Sequence, residues 1–395
     1  MELFTASNQW ATRPADERFW TVQDAHQVCL DYRQSAEELV VPYRDLRVEA
    51  DDTDLRVQAP QFGWNGVPQP VIGNYAFEQL CQRGTPTAPP KFLRSLKPTL
   101  AAQVLNSTIK ARGESNEKTE DNAHLLMHKN NGQTLLRASL SEHYSRVWNS
   151  DIFARLLELP GGWRVPPARP APNGDPRARR ATEADVLDGK GFLSVNVGDM
   201  IAPAGVYASD HDMFVFMVNE ERTVDSNLKR GFFVWNGEVG DRSFGMTTFL
   251  YNDVCGNHIV WGASGVREIR VSHIKSSKIG KVFADIQVTL TQFADESVSD
   301  DRAQIASAKN MVLGIDKKTI VDSLFDFVVQ KRLMLPKAMI DAGYQVAEQR
   351  EDRYGPPNTM WAVANGITEY SQTIPFADKR NQVDRAVGRL LTTSL

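Results

Sequence analysis

Residues 230–262, RGFFVWNGEVGDRSFGMTTFLYNDVCGNHIVWG, constrain the fold of this chain more than any other stretch. They hold two tryptophans and five further aromatic residues. Those rings carry on the order of several hundred Å² of apolar surface that must leave water. Six glycines and recurrent polar residues interrupt the run every few positions, which suits strands and tight turns and excludes a solvated linker. The same stretch carries Arg230, Glu238, Asp241, Arg242, Asn252, Asp253, Asn257 and His258, more charge and amide than a core strand needs. It reads both as core and as part of a site.

At 395 residues the chain exceeds one typical core, so two domains or one elaborated domain are expected. Its hydrophobic (42%) and charged (24%) fractions are those of a soluble globular protein. No apolar run approaches the roughly 18 residues that span a bilayer, which predicts no membrane partner. The opening residues, MELFTASNQWATRPADERFW, are acidic and lack an apolar core, so they read as neither a secretory signal nor a transit peptide. Cys29, Cys81 and Cys255 are widely spaced and odd in number, giving no disulfide framework and no zinc pattern. A reducing, cytoplasmic setting is the expectation. The net charge of −4 conceals a segregation: residues 1–59 hold 6 Lys/Arg against 12 Asp/Glu, and residues 60–181 hold 16 against 9. A basic block in an acidic chain suits an anionic ligand, and ordinary variation along a chain accounts for it equally well.

Along the chain, Thr21 reads as the cap of a helix reaching Leu39. Residues 46–50 and 55–59 alternate around the acidic turn 51–54 as a hairpin. Helices follow over 75–83 and, lifted by Pro98 near its start, over 92–111. Residues 124–129 and 133–140 form the clearest hairpin, across the turn at 130–132. Asn149 or Ser150 then caps a short helix to Leu159. Residues 161–181, GGWRVPPARPAPNGDPRARRA, read as a mobile or peripheral linker because prolines deny them hydrogen bonds and arginines resist burial. Strand-like runs occupy 214–218, 231–235, 247–251, 258–261, 266–274 and 282–290. The tail from Asp300 is helical, over 303–313, 317–333, 336–341, 361–370 and 382–391. These patterns predict an α+β fold with mostly antiparallel sheets, flanking helices and a helical C-terminal part. The implied divisions are an acidic N-terminal segment (1–60), a basic α+β region (61–160), the linker (161–181) and a β-rich core with a helical tail (182–395).

Several constellations suggest chemistry, each with a plainer reading beside it. His124 and His128 lie four apart, on one face of a helix or strand, but lack a third ligand, so packing is favoured over metal. Cys255 and His258 share a loop, conceivable as a nucleophile and base, yet the flanking apolar residues favour a buried, inert thiol. Trp235 and Trp261 are expected to be buried with it. Asp210, His211 and Asp212, with Glu220 and Glu221 beyond, could hold a cation or do acid–base work; capping the start of an element is the simpler role. Sequences of the form GxxxxGKS/T, GxGxxG after a strand, and GxSxG are absent, which disfavours common nucleotide and hydrolase chemistry. No cofactor is implied. The strongest functional signal is the cationic series Arg267, Arg270, Lys275, Lys278 and Lys281, with His273 among them. The turn SSKIG at 276–280 suits phosphates, and exposed aromatics beside it would stack unpaired bases. A solvated β-edge kept soluble by lysines is the equally plausible alternative.

Six pieces of the chain carry a family likeness: residues 136–146 (LRASLSEHYSR) with Asn149, 205–212 (GVYASDHD), 230–240 (RGFFVWNGEVG), 248–251 (TFLY), 254–262 (VCGNHIVWG) and 358–370 (NTMWAVANGITEY). On these the chain resembles the phage- and plasmid-associated family called domain of unknown function 932. The likeness runs from about Gly63 to near the end, with 254–262 the most specific piece and 1–59 the least matched. Gly237 stands where the family more often has Ser. The resemblance implies a cytoplasmic protein of mobile-element gene content, and it brings no catalytic residues to carry over. The leading expectation is a non-catalytic, DNA-associated protein that binds or anneals single-stranded DNA through Arg267, Arg270, Lys275, Lys278 and Lys281 and forms a homo-oligomer. The alternatives are an enzyme with a site around Asp210–Asp212, Arg230, Glu238, Asp241 and Cys255–His258, or a structural or host-interaction protein.

Overall fold

The computed structural model describes residues 13–62, 69–84, 89–115, 121–130, 132–159, 161–165, 169–171, 174–185, 196–203, 205–225, 228–241, 243–252, 257–259, 268–273, 279–371, 373–374 and 377–392. The first described elements are β1 (Arg18–Phe19), α1 (Val22–Gln34) and β2 (Ala36–Pro42). Thr21 caps α1 by accepting from the Asp24 amide at 3.0 Å, as the sequence predicts. The helix does not reach Leu39, however. The Ser35 hydroxyl turns back to the Asp31 carbonyl at 2.7 Å, and residues 36–42 pair instead with the later strand β6 (Asn122–Asn130). β3 (Arg47–Ala50) and β4 (Leu55–Gln58) form the expected hairpin, its turn closed by Asp51 Oδ1 accepting from the Thr53 and Asp54 amides at 2.9 and 2.7 Å.

After β5 (Val71–Ile72) comes α2 (Asn74–Gly84); α3 (Pro90–Ser95) and α4 (Pro98–Ser115) then replace the single helix expected over 92–111. Pro98 divides them because the residue before a proline is driven out of the helical region. β7 (Gln133–Ser141) pairs with β6 across the predicted turn. β2, β6, β7, β5, β4 and β3 lie in that order in one sheet, with β5–β7 its one parallel pairing among the described residues. Phe77, Leu80, Leu105 and Ile109 of α2 and α4 pack on it with Val41, Val57 and Leu125. The sheet draws strands from both sides of residue 60, so the division expected there is not a boundary.

α5 (Asn149–Leu157) leads into β8 (Trp163–Arg164), β9 (Arg169–Pro170) and β10 (Arg179–Arg180). These fall in the stretch expected to be a peripheral linker, and three observations correct that reading. β8 pairs with Val218 and Asn219, β9 and β10 flank β11 (Met200–Ala202), and the nearly buried Asp175 carboxylate takes both guanidinium nitrogens of Arg18 at 2.7 and 3.0 Å. Strand pairing and a buried ion pair outweigh what the prolines and arginines disfavour locally.

The second sheet is built on an antiparallel meander of β12 (Val206–Ala208), β13 (Asp212–Asp225), β14 (Leu228–Gly237) and β15 (Phe244–Asn252), with β16 (Asn257–Ile259) and β17 (Glu268–Val271) both on β15. Alternation divides its side chains. Met213, Val215, Met217, Phe232, Val234 and Met246 face α1, α5 and the following helix, α6 (Ile279–Asp295). Phe214, Phe216, Phe233 and Trp235 form a continuous ring cluster on the opposite face, at centroid separations of 4.9–5.5 Å, each at most 2% exposed. Gly245 is required beneath it, since a Cβ there would lie 2.1 Å from the Trp235 ring. Phe232, Phe233, Trp235, Phe244 and Phe249 of the 230–262 run are thus core, Trp235 as expected; Trp261 and Cys255 lie outside the described residues.

Residues 282–290, expected as a strand, belong to α6. Ile286, Leu290 and Phe293 are buried at helical spacing while Val288 is 54% exposed, a pattern that alternation would not produce. α7 (Ser299–Asn310), α8 (Lys317–Gln330), α9 (Lys337–Gln349), α10 (Glu351–Tyr354), α11 (Met360–Ser371) and α12 (Ala377–Thr392) complete the helical part. All of these helices but α10 share one core, which reaches the second sheet through Val224, Leu228 and Leu250, while Tyr354 of α10 packs with Ala347 and Ala362. The architecture is α+β with largely antiparallel sheets and C-terminal helices.

Candidate functional site

Three sequence-distant pieces converge where the two sheets meet. β7 brings Arg137, and the loop after it brings Tyr144 and Arg146 before α5 begins at Asn149. The turn into β13 brings Asp210, His211 and Asp212. The end of β14 brings Glu238, because Asp212 lies opposite Gly237 and the Glu238 amide donates to the His211 carbonyl at 2.8 Å.

Glu238 is 2% exposed. Its Oε1 accepts from the Asn149 amide at 2.6 Å and its Oε2 meets Arg137 Nη2 at 3.3 Å. Burial pushes its pKa above the usual carboxylate value, opposed by the Arg137 charge and the Asn149 amide. Neither Asn149 nor Ser150 caps α5: the N-cap position is Trp148, which makes no side-chain cap bond, and the Glu238 carboxylate serves the helix terminus from across the junction. Arg137 Nε lies 3.5 Å from Asp210, so this one strand arginine joins the two acidic pieces. The Tyr144 hydroxyl donates to the Gly237 and Glu238 carbonyls at 3.0 and 3.2 Å. Arg146 donates to the Glu238 carbonyl, pairs with Glu38 at 2.6 Å and lies over the Trp148 ring.

Asp212, fully buried, is matched by Arg13 at 2.6 Å. His211 Nδ1 lies 2.9 Å from both Ser209 Oγ and Asp210 Oδ1. Burial lowers the His211 pKa, but the Asp210 hydrogen bond and the Asp212 charge outweigh it and hold the value above that of an ordinary histidine. A nucleophilic triad needs serine and carboxylate on opposite ring nitrogens. Here Ser209 and Asp210 share Nδ1 and Asp212 lies 3.5 Å from Nε2, but Ser209 is 2% exposed and its hydroxyl donates to Asp212 Oδ1 at 2.7 Å, so the group is arranged as a buried charged network.

Beside this network, and lined by other residues, a cleft of about 520 Å³ runs along α2. Tyr75, Glu78, Gln79, Gln82 and Arg83 of α2 line it, facing Ser139 and Ser141 at the end of β7 and Gly240 and Asp241 after β14. The spacing of the α2 residues, at i, i+3, i+4, i+7 and i+8, places them on one helix face. Gln79 joins both sides: its Nε2 donates to the Val239 carbonyl at 2.6 Å and its Oε1 accepts from the Ser139 amide at 2.8 Å. The Tyr75 ring packs on His211 with centroids 4.8 Å apart.

Of the residues expected at an enzymatic site, Asp210–Asp212, Glu238 and Asp241 do come together. Arg230 does not. It lies at the other end of β14, 2% exposed, donating to the Phe293, Glu296 and Ser297 carbonyls and pairing with Asp301 at 2.9 Å, where it ties α6 and α7 to the sheet. Cys255 lies outside the described residues, and His258 is placed only by its backbone pairing with Tyr251. His124 pairs with Glu38 at 3.4 Å and His128 bonds Ser35 Oγ at 2.8 Å, so each has a protein partner. Among the described residues no group of three or more His, Cys, Asp or Glu is placed to hold a metal ion.

Of the cationic series, Arg270 is exposed on β17 with its Nε 2.9 Å from Ser243 Oγ, and Lys281 is exposed in the first turn of α6. Arg267, Lys275 and Lys278 lie outside the described residues. His273 is buried, stacked on Tyr144 at 5.2 Å, and burial pushes its pKa down to about 4, so it is neutral and no part of a phosphate surface. Sequence reasoning missed Arg137, Tyr144, Arg146 and the α2 face. The charge of Arg137 inside the otherwise uncharged QTLLRASL was the one visible signal.

Among the described residues no helix is long and apolar enough to cross a membrane. Compared with protein-family models, with curated proteins and with solved structures, the chain finds no match in any of the three.

Proposed function

We propose that this is a DNA-associated protein of phage or plasmid type, which binds or anneals single strands without a catalytic step and self-assembles on them. One observation carries the reading: Arg270 and Lys281 sit exposed at the β17–α6 connection, and among the described residues neither pairs with a carboxylate. Lys275 and Lys278 fall between them in the sequence and Arg267 just before, which would make one short cationic path. Unneutralised cations on a strand edge and a helix start are what backbone-tracking contacts require. The buried aromatic face of the second sheet takes no part, so charge rather than base stacking bears the affinity. The resemblance to domain of unknown function 932 supports the mobile-element setting.

The test is fluorescence anisotropy of a labelled oligonucleotide, single- and double-stranded, through a salt series. Tight binding of the single strand at low salt that weakens steeply with added salt is the expected result. No binding at low salt would overturn the reading.

A further inference from the structure

The cleft along α2 has properties that the DNA reading does not use. Its volume of about 520 Å³ falls inside the usual range for small-molecule sites. The ionised groups around it are matched. Glu78 pairs with Arg94 at 3.6 Å, Arg112 pairs with Asp121, and Asp121 and Glu142 both act on the Arg83 charge. Asp241 is not free either, and its charge is one of those that hold the His211 proton. A charged ligand would have to displace an existing partner, whereas a neutral one would not.

What the cleft does hold is unspent hydrogen-bonding capacity. Ser139 is 1% exposed and its Oγ makes no hydrogen bond among the described residues, although its own amide is fixed by Gln79 at 2.8 Å. Arg83 Nη1 is likewise buried without a bond, while Nη2 donates to the Asn122 carbonyl at 3.3 Å. A buried polar atom without a partner destabilises the fold, and a ligand that completes the bond relieves it. Ser141, on the same face of β7 as Ser139, and Gln82 of α2 add an exposed hydroxyl and an exposed amide to the same cleft.

We propose that this cleft binds a neutral sugar, a mono- or disaccharide, whose hydroxyls complete the bonds left open at Ser139 Oγ and Arg83 Nη1. A sugar hydroxyl both donates and accepts, so one kind of group can meet a serine, an amide and a guanidinium together. A nucleobase fits less well, because it needs a ring to stack on and the Tyr75 ring is already packed on His211 at 4.8 Å. A phosphate or carboxylate fits less well too, because Asp121 and Glu142 already stand beside the Arg83 charge.

The full chain is titrated by calorimetry with glucose, galactose, mannose, ribose, N-acetylglucosamine and maltose. At least one is expected to saturate the protein at one site, with an affinity that added salt leaves unchanged because no ion pair forms. Ser139→Ala should weaken that sugar about tenfold without lowering the thermal midpoint, since the hydroxyl bonds nothing in the free protein. Gln82→Ala, an exposed change that leaves the fold intact, should weaken it as well. The phosphate ester of glucose, and glucuronate, should bind no more tightly than glucose. No saturable binding by any of the neutral sugars overturns the proposal. Binding that both substitutions leave unchanged does so too, because the sugar then lies elsewhere. Tighter binding of the charged pair makes the ligand an anion and overturns it equally. No DNA enters these titrations, so the sugar and DNA readings stand or fall separately.

Discussion

At the residue scale, the informative groups are ionisable side chains that the fold has taken out of water. Asp384 on α12 is fully buried, accepts from Ser371 Oγ at 2.8 Å and lies 3.7 Å from Arg380. Burial dominates and raises its pKa to about 7. The folded state therefore holds the proton more tightly than the unfolded chain. Stability should fall as pH rises from the ordinary aspartate value near 4 toward 7, by at most about 4 kcal/mol, and stay low above that window. Asp384→Asn, with no proton to lose, should be more stable than the parent at pH 8, and the gain should shrink toward pH 4. Urea titrations at both pH values check this, and a gain independent of pH would refute it. Glu238 poses the complementary case, a buried carboxylate already matched by Arg137 and the Asn149 amide. Glu238→Ala leaves Arg137 with Asp210 alone, at 3.5 Å, and uncaps α5, and should cost about 3 kcal/mol in urea unfolding. Glu238→Gln, which keeps an acceptor for Asn149, should cost less.

At the element scale, close backbone approach decides how the C-terminal helices pack. Gly343 of α9 and Gly366 of α11 face each other, and a Cβ on Gly366 would lie 2.0 Å from the Gly343 carbonyl oxygen. No rotamer change can relieve a clash with backbone, so Gly366→Ala should separate α9 from α11 and destabilise the protein by 3 kcal/mol or about that, the upper range for overpacking. A denaturation midpoint equal to the parent's would show that the helices have room to move. The corrections also belong to this scale. Period alone did not separate strand from helix at 282–290, where several β-branched and aromatic residues sit in a segment whose buried positions follow a 3.6-residue repeat. At 161–181 local composition pointed away from structure, yet edge pairing with β13 and β11 and the Arg18–Asp175 pair draw the segment in.

At the scale of the whole molecule, function rests on which charged groups remain in water. If Arg267, Arg270, Lys275, Lys278 and Lys281 all contact phosphates of a single strand, the logarithm of affinity should fall with the logarithm of salt at a slope of about −3.5. Arg270→Ala and Lys281→Ala should each flatten that slope by about 0.7 and leave the thermal midpoint in place, since exposed side chains contribute little to stability. A slope indifferent to both substitutions would remove this surface from DNA binding. By itself the sequence determined the α+β class, both hairpins, most of the tail helices and the burial of Trp235, because these follow from local periodicity, turn chemistry and ring area. Only the tertiary structure decided that Arg137, Asp210–Asp212 and Glu238 form one network, that Arg230 serves the α6–α7 junction instead, and that α2 lines a cleft facing the end of β7. Those outcomes depend on which strand lies beside which, and on how two sheets far apart in the chain meet, and neither is written in the spacing of residues along it.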